Sequence, residues 1–339
     1  MSEQKFPSKG SPEAQEFLRV WDSSDPQGKR ALCGVFGASY SRAKHLVHDY
    51  RQVKRPEKPY VSERIPWAEQ IEIFTNMDRL VEIHNKVPSE VTIEIDTATP
   101  IMITYFADWQ IGEPGVDYES LKRDVCAVRD EEGVYCEVGG DGYQNLIQPS
   151  KIGSSHNQMP IAPQRGLFVM TLKELGNHLK VVRTGNHNYW STLAVGEDWE
   201  KELCHRLKLL YMKHYGIVNW KVGDMTYTEV AMHKGRFNSS FNLTHSNKQH
   251  QRMDFPDARI MVIEHNHVAD IEQYRYNNAD CVAIRTGTYS VYSDFAQQNS
   301  YFGAHVCNPA VVLWPDRDHI CGFKDMHDAI IYLRSLRSV

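Results

Sequence analysis

Asp108, Gln110, Asp141, Asn186, His187, His233, His265 and His267 are spread over the middle of a 339-residue chain. Each follows an apolar, strand-like run: 101–107, 135–138, 180–183, 227–232 or 259–263. Singly, an Asp after a strand is a cap or turn residue and G-N-H-N is any turn. Together they are carboxylates, amides and imidazoles, all at the carboxyl ends of predicted strands, where open α/β sheets build their sites. Oxygen and imidazole donors without thiolate suit Mn²⁺, Fe or Zn²⁺. So many donors exceed what one ion needs, and two ions sharing a bridging carboxylate would use them.

The elements that must position these residues alternate. Helical spacing is expected at 118–129, 164–178 and 197–215, further strands at 281–289 and 310–314, and a closing helix at 325–336. Alternating β and α elements predict an α/β layered domain over 99–339. Ahead of it, residues 1–28 are rich in Ser, Pro and Gly and read as a flexible lead-in. Residues 29–60 read as two helices around Gly37, a possible helix-turn-helix. Residues 61–98 read as a linker marked by Pro66, with a helix at 67–86 and an alternating, strand-like stretch at 91–95.

The order of motifs resembles the calcineurin-like metallophosphoesterase superfamily, whose pattern runs D-x-H, G-D, G-N-H-D/E, a later H and then G-H-x-H. Here it stands as Asp108-Trp109-Gln110, Gly140-Asp141, Gly185-Asn186-His187-Asn188, His233 and Glu264-His265-Asn266-His267. The opening Ala-Asp-Trp-Gln-Ile-Gly most resembles the DNA-repair nuclease branch and related phage-encoded phosphoesterases. The resemblance implies a layered β-sandwich flanked by helices and a dinuclear centre, with Mn²⁺ the foremost metal. Asp108, Gln110 and His267 would hold the first ion, Asp141 would bridge, and Asn186, His233 and His265 would hold the second. His187 would stand near the leaving oxygen as general acid, and a hydroxide between the ions would attack phosphorus in line. Arg236, with Asn238 and Asn242 after it, is a candidate for phosphate binding.

This chain departs from the pattern at three positions. Gln110 replaces a His, and its harder amide oxygen tilts the first site from Zn²⁺ towards Mn²⁺ or Mg²⁺. Asn188 replaces the carboxylate that orients the catalytic His. Glu264 replaces a Gly, read here as a differently shaped turn.

Charge supplies a second signal. Residues 1–60 hold 11 of the 38 Lys/Arg and 7 of the 43 Asp/Glu, leaving 27 against 36 in an acidic remainder. The excess lies on the second helical element, where Arg42, Lys44, Arg51 and Lys54 are candidates to contact an anionic partner, DNA first. Trp109, Tyr143, Tyr189, Trp190, Phe237 and Phe241 could stack on bases. Seven Cys without a C-x-x-C pair read as reduced thiols, and no apolar run approaches 18 residues, so a cytoplasmic protein without a membrane segment is expected. The leading expectation is a metal-dependent DNA nuclease, with a homodimer and a partner ATPase in view. The alternatives are a nucleotide or cyclic-nucleotide phosphoesterase, or a DNA-binding protein with a degenerate metal site.

Overall fold

The computed structural model describes residues 6–52, 65–147, 159–292 and 304–337, and the chain divides into two compact units, 1–84 and 85–339. Lys54 lies outside the described residues.

The first unit contains α1 (Pro12–Ser23), α2 (Pro26–Val35), α3 (Tyr40–Arg51) and α4 (Trp67–Asn85), the last ending at the unit boundary. The expected lead-in is therefore partly helical. Its Ser and Pro residues are helix-start signals: Ser11 accepts from the Ala14 N–H and Asp25 from the Gly28 N–H, each followed by Pro at the first helical position. Such composition resembles a linker until the spacing of cap and proline is read. Ser39 caps α3 after a turn in which Gly37 has φ of 60°. Phe17, Trp21, Cys33, Ala43 and Val47 close a small core among α1, α2 and α3. Arg42 and Lys44 are exposed on α3, whereas Arg51 pairs with Asp22.

The second unit is a sandwich of two sheets. One has the order β1 (Glu90–Ile95), β5 (Tyr215–Val222), β6 (Met225–Met232), β7 (Ile260–Ile263), β9 (Ala279–Arg285), β8 (Asp270–Tyr276). The other runs β11 (Ile320–Phe323), β10 (Ala310–Leu313), β2 (Ile101–Phe106), β3 (Val134–Val138), β4 (Leu179–Val182). The alternating stretch expected inside the linker is β1, paired in parallel with β5, so the domain starts before residue 99. Strands β5, β8 and β11 escaped the sequence reading. The expected helix at 197–215 stops early, as α8 (Trp199–Leu207), because Lys208 turns left-handed and Tyr215 enters a strand.

Ile103, Tyr105, Val181, Val218, Trp220, Val262 and Ile284 fill the space between the sheets. The outer face of the β2 sheet is covered by α5 (Tyr118–Asp130), α6 (Ile161–Leu175) and α10 (Met326–Arg337). Helix α9 (His245–Met253) lies on the other sheet, where the Asn247 amide donates to the carbonyls of Met261 and Ile284. With both faces covered, every residue of β2 is buried, and this is why that strand reads as continuously apolar. No described helix is long and apolar enough to cross a membrane.

The outer core also holds the loops that follow β2 and β3. Phe168 on α6 packs against Trp109 and Tyr143, with ring centroids 5.8 Å and 5.4 Å away. Both partners are fully buried, so these two aromatics hold the loops down and are not available to stack on bases. Phe168→Ala should cost about 3–5 kcal/mol, the usual cost of an aromatic-sized core deletion. Urea unfolding of wild type and variant measures it; a loss below about 1 kcal/mol would deny Phe168 this anchoring role.

Candidate metal centre

Five loops meet at the carboxyl ends of β2, β3, β4, β6 and β7. Asp108 and Gln110 follow β2, Asp141 follows β3, Asn186 and His187 begin α7 (Asn186–Val195) after β4, His233 follows β6, and His265 and His267 follow β7. Asp108, Asp141, His233 and His265 each offer one ligand atom, and these atoms lie within 4.8 Å of one another. The Asp141 carboxylate stands 3.1 Å from Nε2 of His233, 3.9 Å from Nε2 of His187 and 4.0 Å from Nδ1 of His265. Nε2 of His267 lies 3.2 Å from Asp108.

The backbone is bent to achieve this. Asp108, Gln110, Asp141, His265 and His267 all have φ between 50° and 74°. Non-glycine residues seldom adopt that region, and strained positions gathered at one place mark a functional site. The bends are held by hydrogen bonds between loops. The Asp108 N–H donates to the Gly140 carbonyl and the Gln110 N–H to the Asp141 carbonyl, while the Thr288 hydroxyl and Tyr289 N–H donate to the Asp108 carbonyl. Gly140 and Gly185 are needed for close approach. A Cβ on Gly140 would come within 2.3 Å of the Gly185 backbone, and one on Gly185 within 2.0 Å of the Asp141 carboxylate.

Among the buried polar atoms without a hydrogen-bond partner in the described residues are three on expected ligands: Gln110 Oε1, Asn186 Oδ1 and His265 Nδ1. Such atoms are rare and costly in folded proteins. Each belongs to a residue expected as a ligand, and oxygen or nitrogen lone pairs are what a divalent cation takes. The charge balance points the same way. Burial alone would raise the Asp141 pKa, but His233, His187 and His265 outweigh it and hold it below the usual carboxylate range. Burial would lower the His233 pKa, yet Asp141 and Glu264 pull it well above the ordinary imidazole value. His265 is pushed down to about 3, first by burial and then by the charge on His233, so its ring is neutral and its lone pair free. The donor set therefore fits divalent cations, with Asp108, Gln110, Asp141, Asn186, His233, His265 and His267 as the residues that would hold them.

The other expected residues divide between the cleft and the surface. The His187 ring is fixed through Nδ1 by the Gln144 carbonyl at 2.7 Å and packs on Trp190 at 4.2 Å, and no hydrogen bond joins it to Asn188. Arg236 is exposed and turns to Asp254, 3.4 Å away, with its guanidinium over Phe237. Glu264, expected from the sequence only to reshape a turn, has a larger part in the site. Its carboxylate is buried between the sheets, accepts from the Gly140 N–H at 2.9 Å, faces Nδ1 of His233 at 3.2 Å and lies 3.7 Å from Arg183 Nε. The signal was in the alternation of β7: Ile260 and Val262 face the inter-sheet core, and Glu264 continues that series as a charge.

No protein-family model matches the chain, and no curated protein matches it. Among solved structures, similar ones include a Staphylococcus aureus protein described as a 5'-nucleotidase, at 14% identity and TM-score 0.42, covering 70% of this chain and 58% of that one. This chain thus spans little more than half of that protein's length. The calcineurin-like phosphoesterase YfkN of Bacillus subtilis is similar at 9% identity and TM-score 0.38, over 70% and 99% of the two chains. The nuclease MPE of Pseudomonas putida is similar at 10% identity and TM-score 0.31, over 65% and 87%.

Two outcomes follow from the electrostatics. Glu264→Gln should weaken divalent-metal binding by roughly 10–100-fold, as when other partners that orient a ligating imidazole are lost. Calorimetric titration of the metal-free protein reads this, and an unchanged affinity would remove Glu264 from the site. Buried Glu200 on α8 has its pKa pushed up to about 8 from 4.5, mainly by burial and further by Asp198 and Asp141, against a Thr184 hydrogen bond. A raised carboxylate pKa means that the folded state holds the proton. The stability it contributes is full below 4.5 and is lost as pH rises through about 8. Glu200→Gln should flatten the fall in urea midpoint between about pH 5 and pH 8.5, measured in chelator; parallel curves for the two proteins would refute the shift.

Proposed function

We propose that the protein is a metal-dependent phosphodiesterase acting on DNA. The observation that carries the reading is the set of three buried, partnerless donor atoms on Gln110, Asn186 and His265, opening on the Asp108–Asp141–His233–His265 cluster. When bound, divalent cations would neutralise charge on a phosphate and acidify water, and Mn²⁺ is the best match to an oxygen-rich set containing Gln110.

The chain's own residues supply the rest. Because a carbonyl only accepts, His187 Nδ1 carries the proton that it donates to Gln144, which leaves Nε2 directed at the cleft near Asp141. Trp190 packed on the ring keeps it there. A second proton on Nε2 is then placed for donation to the leaving oxygen. The choice of DNA rests on two features: exposed Arg42 and Lys44 on α3 of a compact three-helix arrangement, and a wholly exposed Phe241 in the loop after His233. Basic helices attract phosphates, and an exposed aromatic offers a face for a base.

The test is cleavage of a labelled duplex, a single strand and a cyclic dinucleotide, each with Mn²⁺ and with chelator. Metal-dependent cleavage of duplex or single strand is expected. Cleavage of the cyclic dinucleotide alone would transfer the protein to small-nucleotide chemistry, and binding of DNA without cleavage would make it a DNA-binding protein. His187→Ala should keep its metal content while kcat falls roughly 10²–10⁴-fold, with a much smaller loss for a nitrophenolate leaving group. Equal losses for good and poor leaving groups would remove the acid role.

A further inference from the structure

Arg285 is the last residue of β9, in register with Ile263, two residues before His265. It is 2% exposed, so it is a charge taken out of water. Among the described residues no carboxylate lies within ion-pair distance of it, and its Nε and Nη1 have no hydrogen-bond partner. Its one bond is from Nη2 to the side-chain oxygen of Asn238, at 2.9 Å. Burial lowers its pKa to about 10, and no neighbouring acid offsets this. The contrast with Arg183 is informative: that guanidinium is equally buried but faces Glu137 and Glu264.

A buried guanidinium without a counter-ion is among the costliest groups a fold can carry. Its planar set of donors matches the oxygens of a phosphate. Asn238, which covers it, is exposed and sits in the loop that begins at His233. Its neutral amide fills a position that the charge on Arg285 favours for an anion. Arg285 and Asn238 thus join the loop after β6 to the end of β9, at the same sheet edge as His233 and His265.

We propose that Arg285 is a phosphate-binding subsite covered by Asn238, and that a phosphate next to the scissile one displaces the amide and takes its place. The assignment rests on the phosphodiesterase reading for its source of phosphate, but the anion site itself does not. A subsite for a neighbouring phosphate favours a chain of nucleotides over a substrate with a single phosphate.

The experiment has two arms. In the first, inorganic phosphate is titrated into the metal-free protein and Tm is followed. Wild type should rise with phosphate, and Arg285→Gln should not. Asn238→Asp, which supplies a resident anion, should start from a higher Tm and show no response. A response equal in all three proteins, or none in wild type, overturns the subsite. In the second arm, KM is compared for a dinucleotide with one phosphate and for its forms carrying an added terminal phosphate at either end. The added phosphate should lower KM in wild type, and Arg285→Gln should forfeit roughly 10–100-fold of that gain, the range for a hydrogen bond to a charged group. An equal effect on the single-phosphate dinucleotide would overturn the assignment to a neighbouring phosphate. If no phosphodiester is cleaved while the Tm response still depends on Arg285, the catalytic reading fails and the anion subsite stands.

Discussion

The site depends on a carboxylate placed where the inter-sheet core should be apolar. Glu264 accepts the Gly140 N–H, faces Nδ1 of His233 and lies beside Arg183, so one side chain ties together the ends of β3, β4, β6 and β7. Desolvating such a charge costs several kcal/mol unless partners surround it. Arg183 supplies the opposite charge and also pairs with Glu137. Glu229 completes the group, its pKa raised well above the ordinary value by burial and by Glu137. Tyr105 and Trp220 both donate to one oxygen of its carboxyl group, inside the core. Removing one member would strand the others, and the network therefore specifies one arrangement of the strands above which the loops meet.

That arrangement carries strain. Five residues expected to hold the ions sit in the left-handed region, and the loops approach so closely that Gly140 and Gly185 have no room for a Cβ. Residues in such conformations persist only where the surroundings over-determine them. Here the surroundings are the inter-loop hydrogen bonds above and the Phe168–Trp109–Tyr143 packing to one side. The same loops leave lone pairs without partners, which suit a divalent cation. They sit on Gln110 Oε1, Asn186 Oδ1 and His265 Nδ1, which have no hydrogen-bond partner among the described residues.

Charge divides along the chain. The first unit carries exposed basic residues on α3 over a core of Phe17, Trp21 and Val47, and the second places Asp108 and Asp141 in the cleft with Glu264 behind them. On the proposed reading, distributed cations would attract a polyanionic substrate and a local cation centre would act at one phosphate. Arg285 is a single buried cation without a counter-ion among the described residues.

The sequence alone determined the α/β alternation, the strands β2, β3, β4, β6, β7 and β10, and the residues at their carboxyl ends. These were legible because a strand buried on both faces reads as an apolar run, and a polar cluster after it marks the loop. The helix-start pairs Ser11-Pro12 and Asp25-Pro26 were equally present in the sequence, but composition hid them behind the look of a linker. Strands β5 and β8 were not legible, since half-exposed strands mix polar and apolar residues and gain their identity from the neighbours they pair with. Only the tertiary structure decided the direction of each charged side chain. Glu264 turned inward to His233, Arg236 outward to Asp254, and Arg285 was enclosed without an acid among the described residues. Direction depends on which residues from distant parts of the chain converge, and spacing along one strand or loop holds no record of that convergence.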